Sequence, residues 1–169
     1  MSAILTPVSA ADPAPSGKTE TAIIGGGCFW CVEAQYKMLK GVKKAVSGYA
    51  GGTIDNPTYK QVCEGDTGHA EVVQIEFDPA IIGYKDIIDL FWLAHDPTTL
   101  NQQGNDIGTQ YRSTIMYLNE EQKKIAEASM AEAQKEQTGK IVTEIVPLKK
   151  FYSAEDYHQE YFANNPSAG

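Results

Sequence analysis

Positive charge is scarce in this chain. Fourteen Lys and Arg stand against twenty-two Asp and Glu, a formal net charge of -8. No basic stripe breaks the acidic excess, so nucleic acid, whose phosphates need clustered cations, is not an expected partner. Long apolar runs are missing as well. Nothing approaches the ~20 residues of a membrane span, so no membrane association is expected. Ala3-Ile4-Leu5 is too short to be the ~7–15-residue core of an export signal. Residues 1–18 carry Pro, Ser and Ala with Lys18 as their one basic residue; they read as a flexible leader, and the protein as cytoplasmic. Cysteine is sparse and odd in number: Cys28, Cys31 and Cys63. Structural disulfides are rare in a reducing compartment, so the close pair reads as catalytic or metal-binding. Zinc wants about four ligands, usually from two paired knuckles. Only one pair exists, with His69, His95 and His158 far apart in sequence, and no metal is expected. There is no internal repeat and no G-x-G-x-x-G or phosphate-cradling loop. The remaining length and an apolar share of 42% suit one domain, residues 19–169, around one core.

What is present is concentrated between Ile23 and Glu33. An apolar pair that can end a buried strand runs into Gly25-Gly26-Gly27, then Cys28, Phe29, Trp30 and Cys31. Three glycines permit a sharp turn. They place Cys28 at or just before a helix N-terminus, where free N–H groups favour negative charge and a thiolate. An exposed helix end contributes about 0.3–1 kcal/mol, and one pKa unit is worth about 1.4 kcal/mol. The dipole alone therefore moves a thiol by less than one unit, and direct hydrogen bonds or a substrate must add the rest. By itself Cys28 is also compatible with an inert buried thiol; the glycine turn and Cys31 favour a reactive one.

Further along, periodicity predicts a strand at 20–24, a helix over 29–39 closed by Gly41, and a strand at 42–49. Glu33 and Lys37, four apart, are expected to pair on the outer face of the helix. Residues 53–68 read as a long loop holding Tyr59 and Cys63, with His69 just beyond it. The strand at 70–78 alternates cleanly and sets Glu71 on the face of Val73, Ile75 and Phe77. A carboxyl there has its pKa raised and can act as a general acid near neutrality, unless it tips into water at the strand's start; the pattern leaves both open. A helix at 84–95, a loop at 98–110 holding Asp106, a strand at 112–118 preceded by Tyr111, and a helix at 120–137 capped by Asn119 follow. A strand at 141–148 and a Tyr- and His-rich segment over 151–165 complete the order. The architecture expected is an α+β sandwich, with helices packed on a mostly antiparallel sheet.

Several blocks carry a resemblance. They are Gly27-Cys28-Phe29-Trp30, Asn56-Pro57-Thr58-Tyr59, Gly65 to Glu71, His95-Asp96-Pro97, Gln103 to Ser113 and Phe151 to Tyr161. In this order they resemble the type A peptide methionine sulfoxide reductases. The resemblance implies a two-layer fold with a ferredoxin-like core. It also implies reduction of methionine S-sulfoxide, free or in proteins, without a cofactor. Carried over by position, Cys28 is the nucleophile on the sulfoxide sulfur. Phe29 and Trp30 line the pocket for the ε-methyl group, and Glu71 protonates the oxygen. Tyr59 and Tyr111 hydrogen-bond that oxygen, and Asp106 helps arrange the site. The chemistry is consistent: a sulfoxide oxygen leaves poorly until protonated, and phenol donors stabilise its developing charge. From the chain pattern alone, both tyrosines would be ordinary half-buried aromatics.

Attack leaves Cys28 as a sulfenic acid, which a second thiol condenses to a disulfide. Some family members use cysteines on a C-terminal tail; here none follows Cys63. Where many members carry Gly, this chain has Cys31. Residues three apart at a helix start lie close enough for a bridge, whose Cα atoms need about 4.4–6.8 Å. Cys31 is therefore the expected resolving thiol, with thioredoxin as reductant and Cys63 as a bystander. Direct resolution by glutathione or a glutaredoxin is the alternative. The protein is taken as a monomer. Two other readings compete: a general dithiol–disulfide oxidoreductase, since C-x-x-C is also a redox-carrier motif, and a module that binds oxidised methionine or a metal without turnover.

Overall fold

The computed structural model describes residues 17–168, so the expected leader lies, up to residue 16, outside the described residues. The order is β1 (Glu20–Gly25), α1 (Phe29–Lys37), β2 (Val42–Ala50), α2 (Tyr59–Glu64), β3 (Ala70–Phe77) and α3 (Tyr84–Ala94). It continues with β4 (Gln102–Gln103), β5 (Asp106–Ile107), β6 (Thr114–Tyr117), α4 (Glu120–Glu136), β7 (Glu144–Pro147), β8 (Phe151–Ser153) and α5 (Tyr161–Asn164). Three-residue 3₁₀ turns sit at Thr109–Tyr111 and Asp156–His158.

Six strands form one sheet in the order β7-β6-β1-β3-β2-β8. All neighbours are antiparallel except β6 and β7. The inner four strands, β6-β1-β3-β2, are linked as β-α-β, β-α-β by α1 and α3. This is the ferredoxin-like arrangement the resemblance implies. The stripe Phe29, Val32 and Tyr36 of α1 and Ile87, Ile88, Phe91 and Trp92 of α3 bury against Val73, Ile75 and Phe77 of β3. Ile23, Ala50, Ala70, Val72 and Met116 point to the other face and form a second, smaller cluster with Val146, Leu148 and Phe151. So β3 is apolar on both sides near its start, where the alternation assigned only one face to the core.

The two expected long loops contain structure. Within the first, Thr58 accepts a hydrogen bond from Gln61 N and the Gln61 side chain returns one to Thr58 N, a capping box that starts α2. Within the second, β4 and β5 pair as a short hairpin. No helix of the described residues is long and apolar enough to cross a membrane.

Candidate active site

The site begins at the turn between β1 and α1. Gly26 passes so close to α3 that a Cβ there would lie 2.9 Å from the His95 ring. Gly27 has φ +90°, and a Cβ would meet Gln103 at 2.7 Å, so the chain can pass here only as glycine. This delivers Cys28 to the N-cap of α1 with extended backbone, its carbonyl accepting from Cys31 N at 3.1 Å. The Cys28 side chain is half-buried and that of Cys31 is exposed.

Glu71 comes from β3, opposite Tyr49 of β2. It is 1% exposed, which decides the alternative left open by the strand pattern: it is buried and does not tip into water. Its Oε2 accepts the Phe29 N–H at 3.1 Å, so the carboxyl lies against the first N–H after Cys28. Burial pushes its pKa up to about 8, with the charges of Asp106 and Cys31 adding and the Phe29 hydrogen bond opposing. A neutral carboxylic acid therefore stands beside the thiol at neutral pH.

Cys28 and Cys31 lie within electrostatic reach of each other. The interaction with Cys28 lowers Cys31 to about 7, although burial and Asp106 oppose it. The same interaction holds Cys28 well above an ordinary thiol, with burial and the charge of Glu71 adding. Of the two sulfurs, Cys31 is therefore the one that ionises near neutrality. A thiolate at this helix start is a nucleophile.

Tyr59 opens α2 and Tyr111 ends the 3₁₀ turn after the β4–β5 hairpin. Partial burial raises both phenols, Tyr111 to about 12, and the charge of Glu71 acts on both. They stay protonated and can donate. Asp106, exposed on β5, lies within electrostatic reach of Glu71, Cys31 and Tyr111. Cys63 sits four residues after Tyr59 on α2 and its thiol lies within electrostatic reach of the Tyr59 phenol, so it is nearer the site than its place in an expected loop suggested.

Phe29 is buried and its ring stacks on Tyr59 at 6.4 Å and leans on Tyr49 at 5.7 Å. Trp30 is held from the C-terminal segment. Its Nε1–H donates to Nδ1 of the fully buried His158 at 3.1 Å, and its indole stacks on Tyr161 at 3.7 Å and 6°. Indole can only donate, so Nδ1 carries the lone pair. Sequence reasoning singled out neither His158 nor Tyr161; the only signal was the Tyr- and His-rich C-terminal block. Glu155 adds a further hold, accepting from Tyr49 Oη at 3.1 Å and from Tyr59 N at 3.3 Å. The expected Glu33–Lys37 pair is not the main partnership of either residue. Glu33 is 2% exposed and accepts from Ser47 Oγ at 2.7 Å and Glu160 N at 2.9 Å. Lys37 ion-pairs with Glu160 instead. All eight residues singled out from sequence thus fall in one region. Among the described residues no group of His, Cys, Asp and Glu is placed to hold a metal ion.

A family model described as peptide methionine sulfoxide reductase matches residues 20–169. The chain is 56% identical over 148 residues to the peptide methionine sulfoxide reductase MsrA of Pasteurella multocida, covering 88% of this chain and 85% of that one. Its fold is similar to the reduced form of Mxr1 from Saccharomyces cerevisiae, with a TM-score of 0.86, 38% identity and coverage of 96% and 94%. It is also similar to Mxr1 in complex with Trx2, with a TM-score of 0.62, 27% identity and coverage of 91% and 92%.

Proposed function

The chain belongs to the peptide methionine sulfoxide reductases, and from that premise we propose how its own residues divide the work. The reaction is thiol-dependent reduction of methionine sulfoxide to methionine. The observation that carries the assignment of roles is the Glu71 carboxyl, buried and held by the N–H that follows Cys28.

The Cys28 sulfur, its proton taken by the ionised Cys31, attacks the sulfoxide sulfur while Glu71 gives its proton to the oxygen. The Tyr59 and Tyr111 hydroxyls donate to that oxygen as charge builds on it, as oxyanion-hole donors do. Phe29 and Trp30 form the apolar wall for the ε-methyl group, and Asp106 helps arrange the site. The hydroxyl passes to Cys28 and methionine leaves, so Cys28 is oxidised to sulfenic acid as the sulfoxide is reduced. The Cys31 thiol then attacks the Cys28 sulfur, expelling water and forming a Cys28–Cys31 disulfide. The place of Cys31 in the first turn, its N–H bonded to the Cys28 carbonyl, supports this pairing over one with Cys63. Thioredoxin returns the disulfide to dithiol, a partner supported by the complex known for the similar yeast protein. The enzyme acts as a monomer on the S epimer, in the cytoplasm, with 19–169 as its catalytic domain.

The test is one equivalent of each epimer of methionine sulfoxide, followed by peptide mapping. The expected outcome is one methionine per enzyme from the S epimer and a Cys28–Cys31 disulfide. Equal use of the R epimer, or a bridge to Cys63, overturns it. A general dithiol–disulfide oxidoreductase would need only the two thiols and would keep its activity in Glu71→Gln.

A further inference from the structure

The oxidised enzyme must present one sulfur to its reductant, and the surface around that sulfur has its own character. Cys31 is exposed on α1, whereas Cys28 is half-buried behind it. Positions 31, 34, 35 and 38 recur at three- and four-residue steps and form one outward stripe of the helix. Cys31, Ala34, Gln35 and Met38 occupy it, and none is charged. Met38 is 85% exposed and Leu93, on α3, is 84% exposed. A groove of about 380 Å³ runs on one side of the stripe, lined by Trp30, Ala34, Met38, Tyr161 and Phe162 among others. A second of about 230 Å³ lies on the other side, between Gln35 of α1, Leu39 just beyond it, and Leu90 and Leu93 of α3. The charges beside the stripe are occupied: Lys37 pairs with Glu160, and Glu33 is buried on Ser47.

We propose that this uncharged outer face of α1, with Met38 and Leu93 as its apolar contacts, is the docking surface for the thioredoxin-type dithiol carrier. The inference rests on the reading of Cys31 as resolving thiol. The carrier's thiolate attacks the Cys31 sulfur, the Cys28–Cys31 bond breaks, and Cys28 leaves as thiolate. The carrier's second thiolate then attacks its own sulfur in the mixed disulfide. This oxidises the carrier and releases Cys31, which takes up a proton. Attack at Cys31 requires the carrier to sit over that residue. Transient redox encounters bury less than ~1,200 Å² in total, or a disc of roughly 14 Å radius on each partner. Met38 lies seven residues along α1, about 10 Å at 1.5 Å per residue, and falls inside that disc. On the opposite side of Cys31 the β4–β5 hairpin offers exposed Ile107 but also Asp106, whose carboxylate would lose water under a partner.

The experiment measures turnover with thioredoxin and, separately, with dithiothreitol, which needs no docking surface. Met38→Glu combined with Leu93→Glu is expected to raise the KM for thioredoxin by about tenfold or more, with dithiothreitol-driven turnover unchanged. Met38→Ala with Leu93→Ala removes the contacts without adding charge and is expected to raise it about threefold. Wild-type KM for thioredoxin in the alanine pair overturns the proposal whatever the glutamate pair does, as does a larger rise from Ile107→Glu than from either pair. The Cys31 reading fails separately: Cys31→Ser would then be recycled by thioredoxin at the wild-type rate.

Discussion

The chemistry of Glu71 is made by its surroundings. A carboxyl in water would be ionised at neutral pH and useless as an acid; enclosed by the sheet and reached by only one backbone N–H, it holds its proton up to about 8. Cys31, which takes the proton of Cys28, ionises near 7. The rate of methionine release in a single turnover is therefore expected to rise through pH 7 as thiolate forms, and to fall above pH 8 as Glu71 loses its proton. Glu71→Gln should lower that rate by about 10²–10³-fold and abolish the descending limb; a variant that is slow but keeps the descending limb would assign it to another group. Tyr59→Phe or Tyr111→Phe alone should cost about tenfold, because the other phenol still donates, and the pair together about 10³-fold. Single-turnover quench measurements on the three variants decide this. Cys28 was legible from its neighbours in sequence, since a glycine turn ahead of a helix is a local pattern. Glu71 was half legible: alternation fixes the face of a strand residue, but what covers the strand's end comes from other elements. His158 was not legible, because its role depends on Trp30, 128 positions away.

At the scale of elements, the β1–α1 turn is supported from below by α3. His95 at the end of α3 donates from Nδ1 to Phe91 O at 2.7 Å and accepts from Ser113 Oγ, which meets Thr143 Oγ1 at 2.7 Å. This chain ties α3 to β6 and to the segment before β7, with Gly26 resting on the imidazole. Gly26→Ala forces a methyl into that ring and into Phe91, and should destabilise the protein by about 1–3 kcal/mol while lowering activity, read from urea midpoints and turnover. Burial also lowers His95 to about 4. An unfolded histidine takes a proton below about 6.5, so between these values the unfolded state binds more protons. Stability should fall as pH drops from 6.5 to 4, by roughly 3 kcal/mol in full for this group. Urea midpoints at pH 7 and pH 4.5 for wild type and His95→Asn isolate the term, since buried Glu33 and Glu71 act in the opposite direction in both proteins. A loss that is equally steep in His95→Asn would remove His95 as the cause. Elements with a clear period, such as β3, α3 and α4, were readable to within a residue or two. The helix α2 had a readable signal in Thr58 and Gln61 that the surrounding Gly, Asn, Pro and Asp obscured. The two-residue strands of the β4–β5 hairpin are too short to leave any pattern.

Over the whole molecule, the last segment closes the site. From β8 to α5 it lies across α1, β2 and α2, and the contacts it makes are mostly side-chain contacts: His158 and Tyr161 on Trp30, Glu155 on Tyr49 and Tyr59, Glu33 on Glu160, and Gln159 on both backbone groups of Ser47. Its backbone joins the sheet through the edge strand β8, three residues paired with β2, and through Ala154 N–H to Ser47 O at 2.9 Å. Segments with few backbone bonds and edge positions open at lower free energy than central strands. The segment should therefore release before the sheet melts, and the Trp30 wall should go with it. In urea, activity and the emission of Trp30, measured in a Trp92→Phe background, are expected to change at a lower midpoint than far-ultraviolet circular dichroism. Glu33→Leu, which leaves Glu160 N and Ser47 Oγ unpartnered, should lower the free energy of the first transition by about 1–3 kcal/mol and shift the second less. If all three signals move together in both proteins, the clasp belongs to the same cooperative unit as the sheet. The site would then be held by the global fold and not by a segment that opens separately.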